Sequence, residues 1–476
     1  MSDKLAILGG VPLRTKPFVV EPMVDDAEER LVVQAVREKN FSRYIGTAVG
    51  RDVLEMTSAE AAKVSDYWHF HGGVNVRAFA AAFAAKFDVP YAIPVTSATA
   101  AIGIALAAAG IGPGDEVIVP AISFSASGNA VLMFDSIPVF VDVDADTFCM
   151  DPRAVERAIT PRTKALLPVH LAGNVADMDA IMAIARRHKL KVIEDAAQAI
   201  GAMWGNRHAG AIGDAGVFSF QQSKNIMTGE GGMIITRDPD LAARARLILN
   251  HGELAFGDDA TETELANVVG LNFRMPELCA AVGRAQLEKL DRVNEWRTRN
   301  ADFLRRELIG LLGIAVAPSQ CAADGPAREV PHFLTVLYDA AAMGVSRALF
   351  VAALREEGVP VGTGYARPMY AAPHFRKRIA YGRGGWPWKG PGYESTVTYT
   401  KGMCPVAENL LGERFIWLYH IAYPSTEDDM SDIAAAFRKV IDNRAALAAA
   451  AGRLSHKIGG HSAGRIGVTP VAARRR

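Results

Sequence analysis

Glu194-Asp195-Ala196-Ala197-Gln198 opens a stretch that runs on through Ser219-Phe220-Gln221-Gln222-Ser223-Lys224 and closes on Gly229-Glu230-Gly231-Gly232. Lys191-Val192-Ile193-Glu194 is a short run ending in an acid, which puts Asp195 at the carboxyl end of an expected buried strand. In parallel α/β sheets ligands bind at that edge. A carboxylate there can pair with a protonated ring nitrogen and keep the ring electron-withdrawing. Ala215 to Phe220 reads as a second buried strand, with Lys224 on the polar turn just beyond it. A lysine so placed can form a Schiff base with a carbonyl if its surroundings lower its proton affinity. Gly229, Gly231 and Gly232 allow a tight turn into the apolar run Met233-Ile234-Ile235-Thr236. A lone loop lysine is ordinarily a solvated surface charge; the acid, the serine and the glycine turn around this one point to a cofactor aldehyde.

Three words, Glu-Asp-Ala-Ala-Gln at 194–198, Ser-Phe-x-x-x-Lys at 219–224 and Gly-Glu-Gly-Gly at 229–232, make this chain resemble the DegT/StrS-like sugar aminotransferases among the fold-type I pyridoxal phosphate (PLP) enzymes. The resemblance spans about residues 70–300. It implies that Lys224 forms the Schiff base with PLP, that Asp195 partners the pyridinium nitrogen, that Gln198 contacts the phenolic oxygen, and that Ser219 contacts the phosphate. It also implies an α/β fold, with a mostly parallel sheet in a large α/β/α domain and a small C-terminal α+β domain.

Length and composition agree. At 476 residues the chain exceeds one average core, so a large and a small domain are expected. Lys plus Arg and Asp plus Glu both number 52, so bulk charge points to no nucleic-acid or membrane partner. Cys149, Cys279, Cys321 and Cys404 lack paired spacing, which favours reduced thiols in a cytoplasmic protein over a disulfide framework or a metal site. No basic-then-apolar signal pattern opens the sequence. The charge-free run from Val89 to Gly114 is long enough to suggest a membrane span, but Pro94, Thr96, Ser97, Thr99 and Pro113 break it into a strand, a turn and a helix.

In chain order, residues 1–72 read as an N-terminal arm, helical from Asp25 to Glu38 and carrying an insertion at 47–68. The large PLP-binding domain is expected over 73–300, the small domain over 301–450, and a basic, disordered tail over 451–476. Six cations and no acid fall in that tail from Arg453 onward (Arg453, Lys457, Arg465, Arg474, Arg475 and Arg476). His69 and His71 flank Phe70 and read as loop histidines. Phe79, Phe83 and Phe87 form one face of a helix, which core packing explains without a ligand.

Ser97-Ala98-Thr99 follows an expected strand and opens a helix, where unpaired backbone N–H groups can hold a phosphate. The family has Asn-Gly-Thr here, so the resemblance carries Ala98 and Thr99 over as phosphate contacts. Phe124, after the strand Asp115–Pro120, matches the family's ring-stacking aromatic, although a phenylalanine after a buried strand is more often core. His170, in Val169-His170-Leu171-Ala172-Gly173, reads as a structural histidine near the site. Further strands are expected at 138–142, 165–170, 330–338 and 359–363, with helices at 151–159, 176–188, 239–251, 277–290, 346–357 and 429–443. Asn272 matches a family asparagine that reaches the phosphate of the neighbouring subunit, which implies a homodimer with a shared active site; a helix cap is the other reading. Tyr365, Arg367 and His374 fall in a loop that could face substrate. Arg414 to His420 resembles, faintly, the cyclitol branch of the family.

The implied reaction moves an amino group from glutamate or glutamine to a keto-sugar or keto-cyclitol. PLP supplies the electron sink and Lys224 moves the α-proton. A PLP-dependent sugar dehydratase is the alternative enzyme, disfavoured because dehydratases resembling this family replace the lysine with histidine. A PLP-binding regulatory protein is the non-enzyme alternative, to be separated by whether an amino donor bleaches the visible band.

Overall fold

The computed structural model describes residues 4–44, 47–49, 51–64, 70–255, 269–317, 327–382 and 384–454. His69, Cys321, part of the 47–68 insertion and residues 455–476 of the basic tail lie outside the described residues.

Seven strands build the main sheet: β1 (Tyr91–Val95), β2 (Glu116–Pro120), β3 (Ile137–Val141), β4 (Thr163–Leu166), β5 (Lys191–Asp195), β6 (Ala215–Ser219) and β7 (Gly232–Thr236). They lie in the order β1-β7-β6-β5-β4-β2-β3. Neighbours from β6 to β3 are parallel, while β7 runs antiparallel to both β1 and β6. Every residue of β1, β2, β6 and β7 is buried, so these strands read as apolar runs rather than alternating ones, as a sheet covered on both faces requires. Strand order reverses between β2 and β4. The chain leaving β2 goes to β3 on one side, and the chain leaving β4 goes to β5 on the other, which opens a crevice at the carboxyl edge.

Helices cover the sheet: α1 (Asp26–Arg37), α2 (Val74–Lys86), α3 (Ala98–Ala108), α4 (Ser125–Val131), α5 (Met178–His188), α6 (Pro239–Leu249), α7 (Glu277–Glu288) and α8 (Leu290–Leu308). Asp25 and Glu28 close a capping box on α1, and Ser97 Oγ accepts from the Ala100 N–H to start α3. On α2, Phe79, Phe83 and Phe87 are fully buried. Their rings pack within 4.8–5.2 Å of Phe218 in β6 and Phe220 just after it. The stripe is core, and it braces the strand that leads to Lys224. The charge-free run resolves into β1, a turn and α3; no helix among the described residues is long and apolar enough to cross a membrane.

A second core forms around three antiparallel strands, β8 (Ile314–Val316), β9 (Leu334–Tyr338) and β10 (Phe415–Leu418), in that order. It is closed by α9 (Arg347–Glu356) and α10 (Glu427–Asp442). The end of α8 enters it through Ala301, Leu304 and Leu308, and the N-terminal segment adds Leu5, Ile7 and Phe18. The expected strand at 359–363 is not formed. Gly362 alone pairs there, with Trp417, after which the chain leaves the sheet toward Tyr365.

Candidate functional site

Asp195 ends β5 with 4% of its surface exposed. Its Oδ2 accepts 2.7 Å from Ser127 Oγ, whose hydroxyl lies 2.7 Å from that of Ser123, and its Oδ1 accepts 3.1 Å from the Ala197 N–H. The carboxylate is therefore aimed by a serine from the first turn of α4 rather than by a neighbour in sequence. Glu194, one residue earlier, points to the opposite face of the strand and serves the fold. It accepts from the backbone N–H groups of Gly210, Ile212 and Gly213 at 2.7–2.8 Å. It also lies 3.0 Å from His170 Nε2. His170 Nδ1 accepts from the Ala176 N–H, so the proton sits on Nε2 and donates to Glu194. Both side chains are fully buried, and His170 is structural.

Lys224 follows β6 on the turn 221–229, where Gln221 and Gly229 pair as a bridge and Gly229 adopts φ +83°. Burial strips water from the amine and draws its pKa down to about 8; the nearby Arg297 charge pushes the same way, while Asp195 pulls it back up. Among the described residues this amine has no hydrogen bond or ion pair. An amine whose pKa lies near physiological pH keeps a usable neutral fraction, so it can act as nucleophile and proton carrier.

Ser219 ends β6 and pairs with Gly232 at the start of β7. Gly232 faces the Ser97–Ala98 turn so closely that a Cβ would lie 2.5 Å from Ser97 C and 2.7 Å from Ala98 N. The last glycine of the Gly-Glu-Gly-Gly word thus lets β7 press against the start of α3, where Ala98 and Thr99 sit. Beside the same turn, the Thr96 N–H donates to Phe273 O at 3.0 Å. Asn272 is exposed, bridges Asn250 through its backbone, and accepts from Arg274 Nε through its side chain. It caps no helix: Pro276 stands at the N-cap of α7. Phe124 precedes α4 with 61% of its surface exposed, so it is not core.

Gln198 Oε1 accepts from the Ala172 N–H at 2.9 Å, and its Nε2 donates to Tyr365 Oη at 2.8 Å. Tyr365 is thereby drawn in from the loop, and its ring lies 5.5 Å from that of Trp417 in β10. Arg367 is exposed, and His374 bonds Asn129 in α4 at 2.8 Å. His420 is buried against Phe18, and burial pulls its pKa down to about 4.

Sequence reasoning missed Ser127, Asn225, Arg297, His332 and Tyr419. Tyr419 Oη donates to Ser223 O, and His332 Nδ1 lies 3.2 Å from Asn225 Oδ1, so both residues flanking Lys224 are held from the second core. Ser127 lies one turn past Phe124, Asn225 follows Lys224 and Tyr419 falls within the Arg414–His420 segment, but nothing local gives these three a role, and Arg297 and His332 carry no local signal at all.

The family profile described as DegT/DnrJ/EryC1/StrS aminotransferase matches residues 52–388. An L-glutamine:2-deoxy-scyllo-inosose aminotransferase of Streptomyces fradiae is 38% identical over 459 residues, covering 94% of this chain and all of that one. Among solved structures, DesI in the presence of its TDP-sugar product superposes with a TM-score of 0.74 at 28% identity, over 95% of this chain and 99% of the other. An aminotransferase from Psychrobacter cryohalolentis gives 0.74 at 29% identity, over 90% and 100%. The chain belongs to the DegT/DnrJ/EryC1/StrS aminotransferase family.

Proposed function

We propose that this protein is a PLP-dependent aminotransferase that moves the amino group of glutamine, or glutamate, to a keto-cyclitol of the 2-deoxy-scyllo-inosose type, with keto-sugars as the wider substrate class. The observation that carries the reading is the Lys224 amine, drawn to about pKa 8 beside a buried, hydrogen-bonded Asp195 at the carboxyl edge of the sheet. Support for the acceptor comes from the 38% identity to the Streptomyces fradiae enzyme across its full length.

The residues present suit the cofactor. The start of α3 offers backbone N–H groups to a phosphate, with Ser219 alongside and no Cβ at Gly232 to fill the cradle. Asp195 suits a protonated ring nitrogen, Gln198 an oxygen acceptor, and Phe124 a flat ring face. When bound, PLP supplies the sink for the electrons left as the α-proton departs. The chain's own residues would do the rest: the Asp195 carboxylate would accept a hydrogen bond from the protonated ring nitrogen, and the Lys224 amine would hold the aldehyde end and relay the substrate's proton. The proposal extends to a homodimer in which the exposed Asn272 reaches the phosphate of the partner's site.

Borohydride reduction of the holoenzyme followed by peptide mapping tests the lysine; the label is expected on Lys224. Lys224→Ala is expected to abolish transamination, and full activity in that variant would overturn the assignment. A screen of glutamine and glutamate against keto-cyclitols and nucleotide-linked keto-sugars, read by cofactor absorbance, tests the substrates. Turnover of the keto-sugars alone would overturn the cyclitol reading.

A further inference from the structure

Arg297, on α8, is 3% exposed and forms no salt bridge among the described residues. Its Nη1 donates to His332 O at 2.7 Å, its guanidinium carbon lies 5.6 Å from the centroid of the Tyr419 ring, and its Nε has no hydrogen-bond partner among the described residues. A buried guanidinium without a carboxylate is costly, and folds that keep one ordinarily use its charge.

The residues Arg297 touches grip the lysine segment from both sides. Tyr419 donates to Ser223 O. His332 meets Asn225 Oδ1 at 3.2 Å, and Asn225 Nδ2 donates to Asn294 Oδ1 at 3.0 Å, one turn before Arg297 on α8. Asn294 is anchored in turn to Ile200 O at 2.9 Å.

We infer that Arg297 is a positioning residue for Lys224: its contacts with His332 and Tyr419 hold the Ser223 carbonyl and the Asn225 side chain on either side of the lysine, and its fixed charge faces the lysine nitrogen. The inference rests on the proposed role of Lys224.

The charged and titratable groups facing that nitrogen are Asp195 from β5, Arg297 from α8 and His332 before β9. Asp195 favours the protonated form and Arg297 opposes it. His332 is held neutral by burial and by the two cations, so it adds no charge. Among the described residues Arg297 is thus the fixed cation set against the pull of Asp195. Lysine in its place would keep the charge but lose the planar fork that spans His332 O and the Tyr419 ring.

The test uses the full-length holoenzyme and two readouts. Borohydride trapping with peptide mapping locates the cofactor. The pH midpoint of the visible absorbance change reads the proton affinity of the lysine nitrogen in place. Arg297→Gln is expected to raise the midpoint by about one unit, a tenfold gain in proton affinity. Arg297→Lys is expected to stay within about 0.3 units while lowering kcat, and Tyr419→Phe to lower kcat without moving the midpoint. Equal midpoints for Arg297→Gln and wild type, with the label on Lys224, would overturn the role of Arg297 alone. A label elsewhere in the wild type would overturn the reading of Lys224 and this inference with it. Should Arg297→Gln fail to fold, Arg297→Lys decides through both readouts: an unmoved midpoint together with a lowered kcat upholds the inference, and a midpoint displaced by a full unit or an unchanged kcat overturns it.

Discussion

Gly232→Ala offers a direct test of the proposed phosphate cradle. Gly232 pairs with Val95 on one side and Ser219 on the other, so β7 cannot retreat without breaking two ladders. The added Cβ would lie 2.5 Å from Ser97 C, 2.6 Å from Ser97 O and 2.7 Å from Ala98 N, all backbone atoms, where 3.4 Å is the start of ordinary contact. The Ser97–Ala98 turn must therefore move by up to 0.9 Å, and it is the turn that opens α3. A shift of that size stretches an N–H bond to a phosphate oxygen beyond useful length. A hydrogen bond to a charged group contributes about 1.5–3 kcal/mol, so PLP affinity should fall roughly ten- to a hundredfold. Titrating the apoprotein with PLP and following absorbance measures this, with the melting temperature of the apoprotein as a check on the fold. Gly229→Ala is the control. Its cost is backbone strain at φ +83° with open space around the Cβ, so it should reduce stability by about 1 kcal/mol and leave PLP affinity nearly unchanged. A Gly232→Ala protein that binds PLP within twofold of wild type would refute the reasoning.

Ser127→Ala removes the 2.7 Å donor to Asp195 Oδ2 and should cost about 1–3 kcal/mol in denaturant unfolding while shifting the cofactor spectrum. Glu194→Ala strands the fully buried His170 and three backbone N–H groups, so a loss of about 3–5 kcal/mol is expected, with insoluble expression as the extreme outcome. In the apoprotein, labelling of Lys224 by an amine-directed reagent should rise about tenfold per pH unit up to about 8 and then level off, as peptide mapping can follow. For the same group the folded pKa lies below the unfolded value, so the unfolded chain holds more protons between about 8 and 10.5, and this lysine makes folding more favourable as pH rises through that window.

The parts of the site legible in the sequence are those whose cause is local. The apolar runs that became β5, β6 and β7 carry Asp195, Lys224 and Gly232 at fixed offsets. The Ser97 cap and the phenylalanine stripe of α2 follow from helical geometry in the same way. Ser127 was not legible because its partner lies 68 residues away and is met only when α4 folds over the crevice. Tyr419 stands 196 residues from the carbonyl it holds. The strand expected at 359–363 failed for a related reason: a short apolar run gives propensity, but only Gly362 finds an edge to pair with. Asn272 carried a subunit contact as the main reading and a helix cap as the lesser one, and Pro276 at the head of α7 removes the cap there.

These long-range contacts share a direction. Tyr419, His332 and Tyr365 come from the second core or the loops beside it, and they close on Ser223, Asn225 and Gln198, which the main sheet presents. The main sheet alone would supply the acid, the lysine and the phosphate turn, but it would leave the lysine on a turn secured only at its ends. Packing of the second core along α8 converts that turn into a clamped segment and sets Arg297 beside it in the same motion, since Asn294 and Arg297 lie on the stretch of α8 between the two cores. On the proposed role of Lys224, its chemistry is coupled to the docking of the two cores. A substitution that loosens β10 against β9 should reach the reaction through Tyr419 before it reaches the fold of the main sheet.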